Sequence, residues 1–210
     1  MARILLVSTI VLVLAIAVPF LTPKTVFDEK KLAEIARKAL AKESKNATRI
    51  INNVIDLMRK EYPDYIEKGD KWLFNNAGGA MGSMTVLHAS FSEYVIIFGS
   101  AIGTEGHTGR FLADDWFTIL YGEQWAYKAG AIEREVYKPG DQHHLPFGVA
   151  KGYRMPEACW ALEYARGNIL SMMPFGIFDT FSSTLDLWTL WETVEVSGTQ
   201  MIKNLLRGKI

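Results

Sequence analysis

The chain has 210 residues, 49% of them apolar, with six tryptophans and eleven phenylalanines, which indicates one sizeable domain with appended segments. Its 23 basic and 23 acidic residues cancel to a net charge of zero, and no lysine and arginine stripe is present, which argues against nucleic acid as a partner. The single cysteine, Cys159, excludes an internal disulfide framework and a cysteine-based metal site.

The first segment is an uncharged run of 18 residues, 4 to 21, that follows Arg3. This length is at the short end of what spans a hydrocarbon core of about 30 Å. The alternative is a cleaved signal peptide, because the small-x-small pattern of a cleavage site is found at positions 15–17. The run exceeds the usual apolar core of a signal peptide, about 7 to 15 residues. A retained transmembrane anchor over residues 1–23 is therefore predicted.

Residues 24–66 predict two amphipathic helices whose apolar stripes pack on the domain. A break is expected near Ser44 to Asn46, and Tyr62-Pro63 should end the second helix. A glycosylation sequon begins at Asn46 and matters only if this side faces a lumen. The stripes comprise Leu32, Ile35, Ala36, Ala39 and Leu40 in the first helix and Ile50, Ile51, Val54, Ile55 and Met58 in the second.

Residues 67–167 predict a mainly β region, because short apolar runs alternate with turns rich in glycine. Strands are expected at residues 71–74, Met84 to Ser90, Glu93 to Ser100 and Ile132 to Tyr137. Short strands at this spacing favour a closed or nearly closed barrel over a βαβ fold.

The stretch from Cys159 to Gly167 predicts a strand with one carboxylate, Glu163, in an otherwise apolar setting. Its small neighbours leave room for another molecule to pack there. An unpaired buried carboxylate costs several kcal/mol, so Glu163 should be protonated, paired or exposed, and an exposed edge-strand glutamate is the alternative. One face of the strand holds Trp160, Leu162 and Tyr164, and the other holds Ala161, Glu163 and Ala165.

A second pair of acids, Asp114 and Asp115, lies in the apolar stretch from Arg110 to Tyr121. Adjacent strand residues point to opposite faces, so only one of the two can point inward. Asp115 shares its face with Phe117, Ile119 and Tyr121, which makes it the inward candidate. The alternative is that both acids lie at a strand end and cap the turn.

The four histidines do not predict a metal site. His143 and His144 are neighbours that diverge on a strand, and none of the four has the spacing of a paired metal ligand. We expect His88 to be a hydrogen-bonded core residue and His107 to be a turn residue. No P-loop, dinucleotide fingerprint or nucleophile elbow is present in the sequence.

Residues 168–210 predict helices, with a capping box at Ser183 to Asp186 that opens a long one. The apolar residues of this helix cover more than one stripe, and two tryptophans lie one turn apart. One stripe can pack on the domain, so the surplus predicts a helix at a membrane interface. The apolar residues are Leu185, Leu187, Trp188, Leu190, Trp191 and Val194.

Five motifs in this order resemble the fungal C-8 sterol isomerase family and the related sigma-type receptors: WLFNNAGGAMG, LHASFSEY, GTEGHTGR, ALEYARG and FDTFSSTLDL. The resemblance runs from about Trp72 to Leu206. It implies a single membrane anchor, a cupin-like β-barrel with an enclosed apolar pocket, and two C-terminal helices against the membrane. It also implies a homotrimer in the endoplasmic reticulum membrane and a role in ergosterol synthesis.

The resemblance also implies the site residues. The family's pocket acid is Glu163 and its partner acid is Asp115, with Asp114 left open because relatives differ by a short gap before the aspartate. Ala80 replaces a tryptophan of the receptors and favours the enzyme branch. The predicted substrate contacts are Tyr94, Phe98, Trp160, Met84, Phe117 and Tyr121.

The implied chemistry is a cofactor-free shift of the sterol double bond from carbon 8 to carbon 7. Two carboxyl groups in a desolvated cavity tend to share a proton, so the pair supplies one acid and one base near neutral pH. The intermediate is a cation, which explains why cationic amines are expected inhibitors. The alternative is a non-catalytic sigma-type membrane receptor that binds cationic amines or sterols.

Overall fold

The computed structural model describes residues 25–210, so the predicted anchor over residues 1–23 lies outside the described residues. Two helices come first, α1 (Glu29–Lys42) and α2 (Ala47–Glu61), which confirms both amphipathic helices and the break between them. Each begins at a capping side chain: Asp28 accepts a hydrogen bond from the Lys31 amide, and Asn46 accepts one from the Arg49 amide.

Ten strands follow and form two antiparallel sheets. The larger sheet has the order β1-β2-β3-β10-β5-β8, and the smaller has the order β4-β9-β6-β7. The strands are β1 (Leu73–Ala77), β2 (Ala80–Ala89), β3 (Glu93–Ser100), β4 (Thr104–His107), β5 (Ala113–Tyr121), β6 (Gln124–Tyr127), β7 (Glu135–Tyr137), β8 (Gln142–Leu145), β9 (Gly152–Met155) and β10 (Cys159–Gly167).

The β architecture confirms the predicted class, with two corrections. Hydrogen bonding among the described strands divides into two sheets, so they do not close into one continuous barrel. The strand expected at Ile132 to Tyr137 is shorter and covers only Glu135–Tyr137. The stretch from Cys159 to Gly167 is a strand over its whole predicted length, and it lies in the middle of the larger sheet between β3 and β5.

The two faces of the larger sheet pack against different partners. Its outer face, with Leu162 and Tyr164 of β10, packs on the apolar stripes of α1 and α2. Its inner face, with Ala161 and Ala165 of the same strand, packs in a second core cluster that includes Met155 of the smaller sheet. The period-two alternation of β10 therefore decides which side chains reach the space between the sheets.

Glu93, at the start of β3, ties distant parts of the chain together. It is fully buried, and its carboxylate accepts hydrogen bonds from the amides of Val26 (2.8 Å) and Phe27 (3.1 Å) and from the Tyr164 hydroxyl (2.6 Å). The ammonium of Lys209 lies 2.7 Å from the same carboxylate. This buried charge is thus neutralised and hydrogen-bonded by segments from both ends of the described chain.

The C-terminal region contains a short 3₁₀ turn at Ile169–Ser171, then α3 (Met173–Asp179), a π turn at Thr180–Thr184, and α4 (Leu187–Leu206). The capping box predicted to start at Ser183 is wrong. Leu185 adopts a left-handed conformation, φ 53°, and Asp186 is the residue that caps α4, by accepting from the Thr189 amide at 3.0 Å.

One side of α4 is anchored on the larger sheet, because the side-chain amides of Gln200 and Asn204 donate to the β2 carbonyls of Val86 and Ala89. The other side is exposed, and Trp188 retains 72% of its accessible surface. Within residues 25–210, no helix has the length and apolar character needed to cross a membrane.

Candidate active site

A cavity of about 480 Å³ lies between the two sheets and is covered at one end by α3 and α4. Strands of both sheets line it, mostly with apolar and aromatic side chains. Its size is in the range of small-molecule binding sites, and the exposed area of its wall is mainly apolar. The polar groups that it does contain are therefore candidates for chemistry.

Glu163 lines this cavity from the middle of β10. It lies opposite Ile96 of β3 and Phe117 of β5, and its neighbours on the same face are Ala161 and Ala165. Because the alanines are short, the carboxyl group projects past them into the apolar space. Burial raises the pKa of Glu163 to about 8, so this carboxyl group holds its proton at neutral pH. The alternative of an exposed edge-strand glutamate is wrong, since β10 is a central strand.

Asp115 lines the same cavity from β5 and is only 3% exposed. It pairs with Ala165 of β10 and Leu145 of β8, and its Oδ1 has no hydrogen-bond partner among the described residues. Burial, followed by the nearby charge of Glu163, holds the pKa of Asp115 well above its usual range. The predicted inward orientation of Asp115 is confirmed.

Asp114 points the other way, as the strand alternation requires. Its Oδ1 lies 2.8 Å from Nε2 of His144 and accepts a second hydrogen bond from the Phe147 amide at 3.3 Å. About a third of the side chain is exposed. Asp114 therefore does not reach the cavity, and Asp115 is the acid that shares it with Glu163.

The two cavity acids are diagonal neighbours on one face of the sheet, because Glu163 pairs with Phe117 and Asp115 is two residues from Phe117 on β5. Diagonal positions on adjacent strands are within reach of long side chains. Each negative charge disfavours the other in this apolar space, so the pair keeps at least one proton near neutral pH. A group that can give a proton thus lies beside one that can take a proton.

Four of the predicted substrate contacts line the cavity: Met84, Tyr94, Phe98 and Phe117. Tyr94 pairs with Ala165, on the side of β10 opposite to Asp115, and its hydroxyl lies 3.9 Å from the Met84 sulfur. Aromatic faces therefore flank the acid pair on the neighbouring strands.

The other two predicted contacts, Trp160 and Tyr121, are not in the cavity. Both pack against the core beneath α1 and α2, on the opposite face of the sheet. Trp160 follows the alternation of β10, and its ring meets Trp72 edge to face at 5.2 Å. Tyr121 was expected to share the face of Asp115, but the pairing shifts between Trp160 and Ala161 and places Tyr121 opposite Trp160. This irregularity turns the side chain of Tyr121, the last residue of β5, to the opposite face of the sheet.

His88, His143 and His144 are arranged as predicted, and His107 is the exception. His88 is fully buried, its Nδ1 lies 3.0 Å from the Tyr65 carbonyl oxygen, and burial lowers its pKa to about 4. His143 and His144 diverge: His144 stacks on Trp116 outside the cavity, and His143 lines the cavity. His107, expected in a turn, ends β4 and also lines the cavity.

The sequence analysis missed three buried polar residues of the cavity: His143 as a lining residue, Gln124 of β6 and Ser197 of α4. Alternation along the four residues of β8 places His143 on the face of Leu145, a signal too short to use without the strand bounds. Gln124 follows a turn and carries no motif. Within residues 25–210, no three histidine, cysteine or acidic side chains group as metal ligands.

This fold and this site define a class of protein: a β-sheet domain that encloses an apolar cavity between its sheets and presents two neighbouring carboxyl groups with raised pKa values to it. The family described as "ERG2 and Sigma1 receptor like protein" matches residues 3–209. The chain belongs to this family.

Among curated relatives, the C-8 sterol isomerase of Pyricularia oryzae is 54% identical over 186 residues, covering 88% of this chain and 84% of that protein. The C-8 sterol isomerase ERG2 of Gibberella zeae is 50% identical and covers 88% and 79%. Sigma non-opioid intracellular receptor 1 of Xenopus tropicalis is more distant, at 37% identity with coverage of 84% and 80%. Among solved structures, KdgF from Halomonas sp. matches 51% of this chain and 97% of its own, with a TM-score of 0.42 and 14% identity, a likeness too weak to carry an argument.

Proposed function

We propose that this protein is a C-8 sterol isomerase that moves the nuclear double bond of a sterol from carbon 8 to carbon 7. The observation that carries the proposal is the pair of carboxyl groups, Glu163 and Asp115, that share the wall of an apolar cavity and both have raised pKa values. Relatives with 50 to 54% identity that bear this enzyme name support the same reaction.

The reaction needs one acid and one base, and the pair can supply both. The neutral carboxyl group gives its proton to one alkene carbon, which leaves a cation in the sterol nucleus. The carboxylate then removes a proton from the neighbouring ring carbon, and the double bond forms at its new position. Protons balance over the two steps, so neither an oxidant nor a reductant is required.

The cavity suits this cationic intermediate. When the neutral acid has given up its proton, a carboxylate faces the sterol cation in a space where water does not screen the attraction. Tyr94, Phe98 and Phe117 add aromatic faces, each worth about 0.5 to 2 kcal/mol toward a cation. A protonated amine of similar shape would meet the same groups, which supports binding of cationic amine inhibitors.

The setting of the enzyme is part of the proposal. We place it in the endoplasmic reticulum membrane as a single-pass protein anchored by residues 1–23, with a cupin-like domain and a homotrimeric assembly. Exposed apolar side chains on α3, the π turn and α4 support contact of these helices with the membrane surface, where a sterol would enter. They include Phe178, Phe181, Leu187, Trp188 and Trp191, each more than half exposed.

Sterol profiling tests the proposed reaction. In a fungal strain that lacks its own isomerase, sterols with the carbon-8 double bond accumulate, and this chain should restore the carbon-7 product. Glu163→Gln is the matched control that should not restore it. If the wild-type chain binds cationic amines but leaves the sterol profile unchanged, the non-catalytic receptor function replaces the isomerase.

A further inference from the structure

Four polar atoms of cavity-lining residues are buried and have no hydrogen-bond partner among the described residues: Oδ1 of Asp115, Oγ of Ser197, Nδ1 of His143 and Oε1 of Gln124. His143 and Gln124, each only 1% exposed, lie outside the acid pair. A buried polar atom without a partner costs free energy, so its retention calls for an explanation. A ligand that supplies the missing partner is one such explanation.

The protonation state of His143 follows from Lys151. The Lys151 ammonium is paired with the Glu135 carboxylate and lies 3.0 Å from Nε2 of His143. An ammonium only donates hydrogen bonds, so Nε2 must accept and the ring proton of a neutral histidine is on Nδ1. Burial, followed by the charge of Lys151, lowers the pKa of His143 to about 4, which keeps the ring neutral. The unpartnered atom of His143, a residue of the cavity wall, is therefore an N–H donor.

Gln124 supplies an acceptor close by. It pairs directly with Tyr137 across β6 and β7, and the Tyr137 ring stacks on His143 with 4.6 Å between ring centres. Each residue thus adjoins Tyr137 and has one polar atom without a partner among the described residues. One donor and one acceptor next to the same residue match a hydroxyl group, which accepts one hydrogen bond and donates another.

The position of His143 in the larger sheet also fits a sterol hydroxyl. Helices α3 and α4 pack on β1 and β2 at one edge of the larger sheet, and His143 is on β8 at the other edge. Glu163 and His143 both lie opposite Phe117, on either side of it, so their backbones are separated by two strand spacings, about 10 Å. A sterol carries its hydroxyl on the first ring and the reacting bond one ring further, with its hydrocarbon tail at the far end.

We propose that His143 and Gln124 form a hydroxyl-binding subsite, in which the His143 Nδ1–H donates to the sterol hydroxyl oxygen and the Gln124 Oε1 accepts the hydroxyl proton. The inference rests on the proposed function and sets the direction in which the sterol binds. The hydroxyl lies at the β8 edge, the second ring beside Glu163 and Asp115, and the tail toward Leu190 and Val194 of α4. His143 and Gln124 are binding residues that position the double bond against the acid pair.

The test compares a carbon-8 sterol with its 3-deoxy counterpart, which lacks only the hydroxyl. The dissociation constants of both are measured on the full chain in detergent for wild type, His143→Phe and Gln124→Met, and their ratio is taken for each protein. Either variant should lower the preference for the hydroxyl sterol by about 5- to 50-fold, because a paired buried hydrogen bond is lost. Binding of the deoxy sterol should be unchanged or tighter.

Phe98→Leu is the matched control: it alters an apolar wall residue, so it should change both affinities together and preserve their ratio. If His143→Phe does not fold, Gln124→Met decides alone, because Gln124 does not contact the Lys151 and Glu135 pair through any described hydrogen bond. A ratio that stays within about twofold of wild type in the folded variants would overturn the subsite.

Turnover measured on the same wild-type preparation separates the two proposals. A protein that isomerises the sterol but gives a ratio insensitive to both variants keeps the enzymatic function and loses the subsite. A protein that does not isomerise, yet loses its hydroxyl preference in both variants, keeps the subsite and rejects the isomerase.

Discussion

Two glutamates on adjacent strands have opposite surroundings: Glu93 is fully buried, whereas Glu163 retains some accessible surface on the cavity wall. Glu93 of β3 is ion-paired with Lys209 and accepts hydrogen bonds from two amides and a tyrosine hydroxyl. Glu163 of β10 lines an apolar cavity, and burial raises its pKa. The first carboxylate is stabilised in its charged form and holds segments together. The second is destabilised in its charged form, which makes its proton available for chemistry.

The largest effect on turnover should come from removing Glu163, the acid on the cavity wall. Glu163→Gln keeps the shape of the side chain but cannot exchange a proton, so isomerisation should fall by about 10²- to 10⁴-fold. Loss of charge stabilisation of the cation should add to this. A protonated amine should also lose affinity, whereas a neutral sterol should bind almost as well. Turnover and both affinities, measured on folded protein, check the prediction, and near-normal turnover would contradict the mechanism.

Removing Glu93, the acid paired with Lys209, should instead lower the stability of the protein. Glu93→Gln leaves the buried Lys209 ammonium beside a neutral group, and breaking a buried ion pair from one side costs about 3 to 5 kcal/mol. Chemical denaturation should show this loss. The double variant with Lys209→Met should recover part of the loss, since both charges of the ion pair are then removed. If Glu93→Gln reduced turnover without reducing stability, the contrast between the two glutamates would fail.

The raised pKa of Glu163 predicts a pH-dependent stability. Below pH 4.5 the Glu163 carboxyl group is protonated in both the folded and the unfolded chain, so it does not change the free energy of unfolding there. Between 4.5 and about 8 the unfolded chain releases the proton and the folded chain retains it, so stability falls as pH rises. Glu163→Gln should remove this component and stabilise the protein at pH 8 by up to a few kcal/mol, with no gain below pH 4.5. Unfolding curves of both proteins at pH 4.5, 6 and 8 provide the measurement. A pH-independent difference between the two would argue against a buried, proton-retaining Glu163.

The smallest effect is expected at Asp114, which is paired with His144 on the outside of the sheet. Asp114→Asn changes a partly exposed contact with His144, worth about 0 to 1 kcal/mol, and should leave turnover near normal. Asp115→Asn, one residue away, should reduce turnover by about 10²-fold or more because it removes a cavity acid. Parallel assays of the two variants provide the comparison. An inactive Asp114→Asn beside an active Asp115→Asn would reverse the assignment of the partner acid.

Local periodicity in the sequence was sufficient to predict the main helices and strands and the inward orientation of both acids, Glu163 and Asp115. The alternation in β10 separates Glu163 from Leu162 and Tyr164, and the same rule distinguishes Asp115 from Asp114, because strand geometry turns neighbouring side chains to opposite faces. The apolar stripes of α1 and α2 identify their buried sides for the equivalent reason in a helix.

Only the tertiary structure decided the features that depend on contacts between distant segments. The pairing irregularity that turns Tyr121 away from the cavity arises between β5 and β10, which are far apart in sequence. The buried partners of Glu93 come from residues near both ends of the described chain. Tyr137 of β7 pairs with Gln124 in the smaller sheet and stacks on His143 of the larger sheet. A local pattern records which face a side chain takes, but strand pairing and sheet packing decide which side chains share that face.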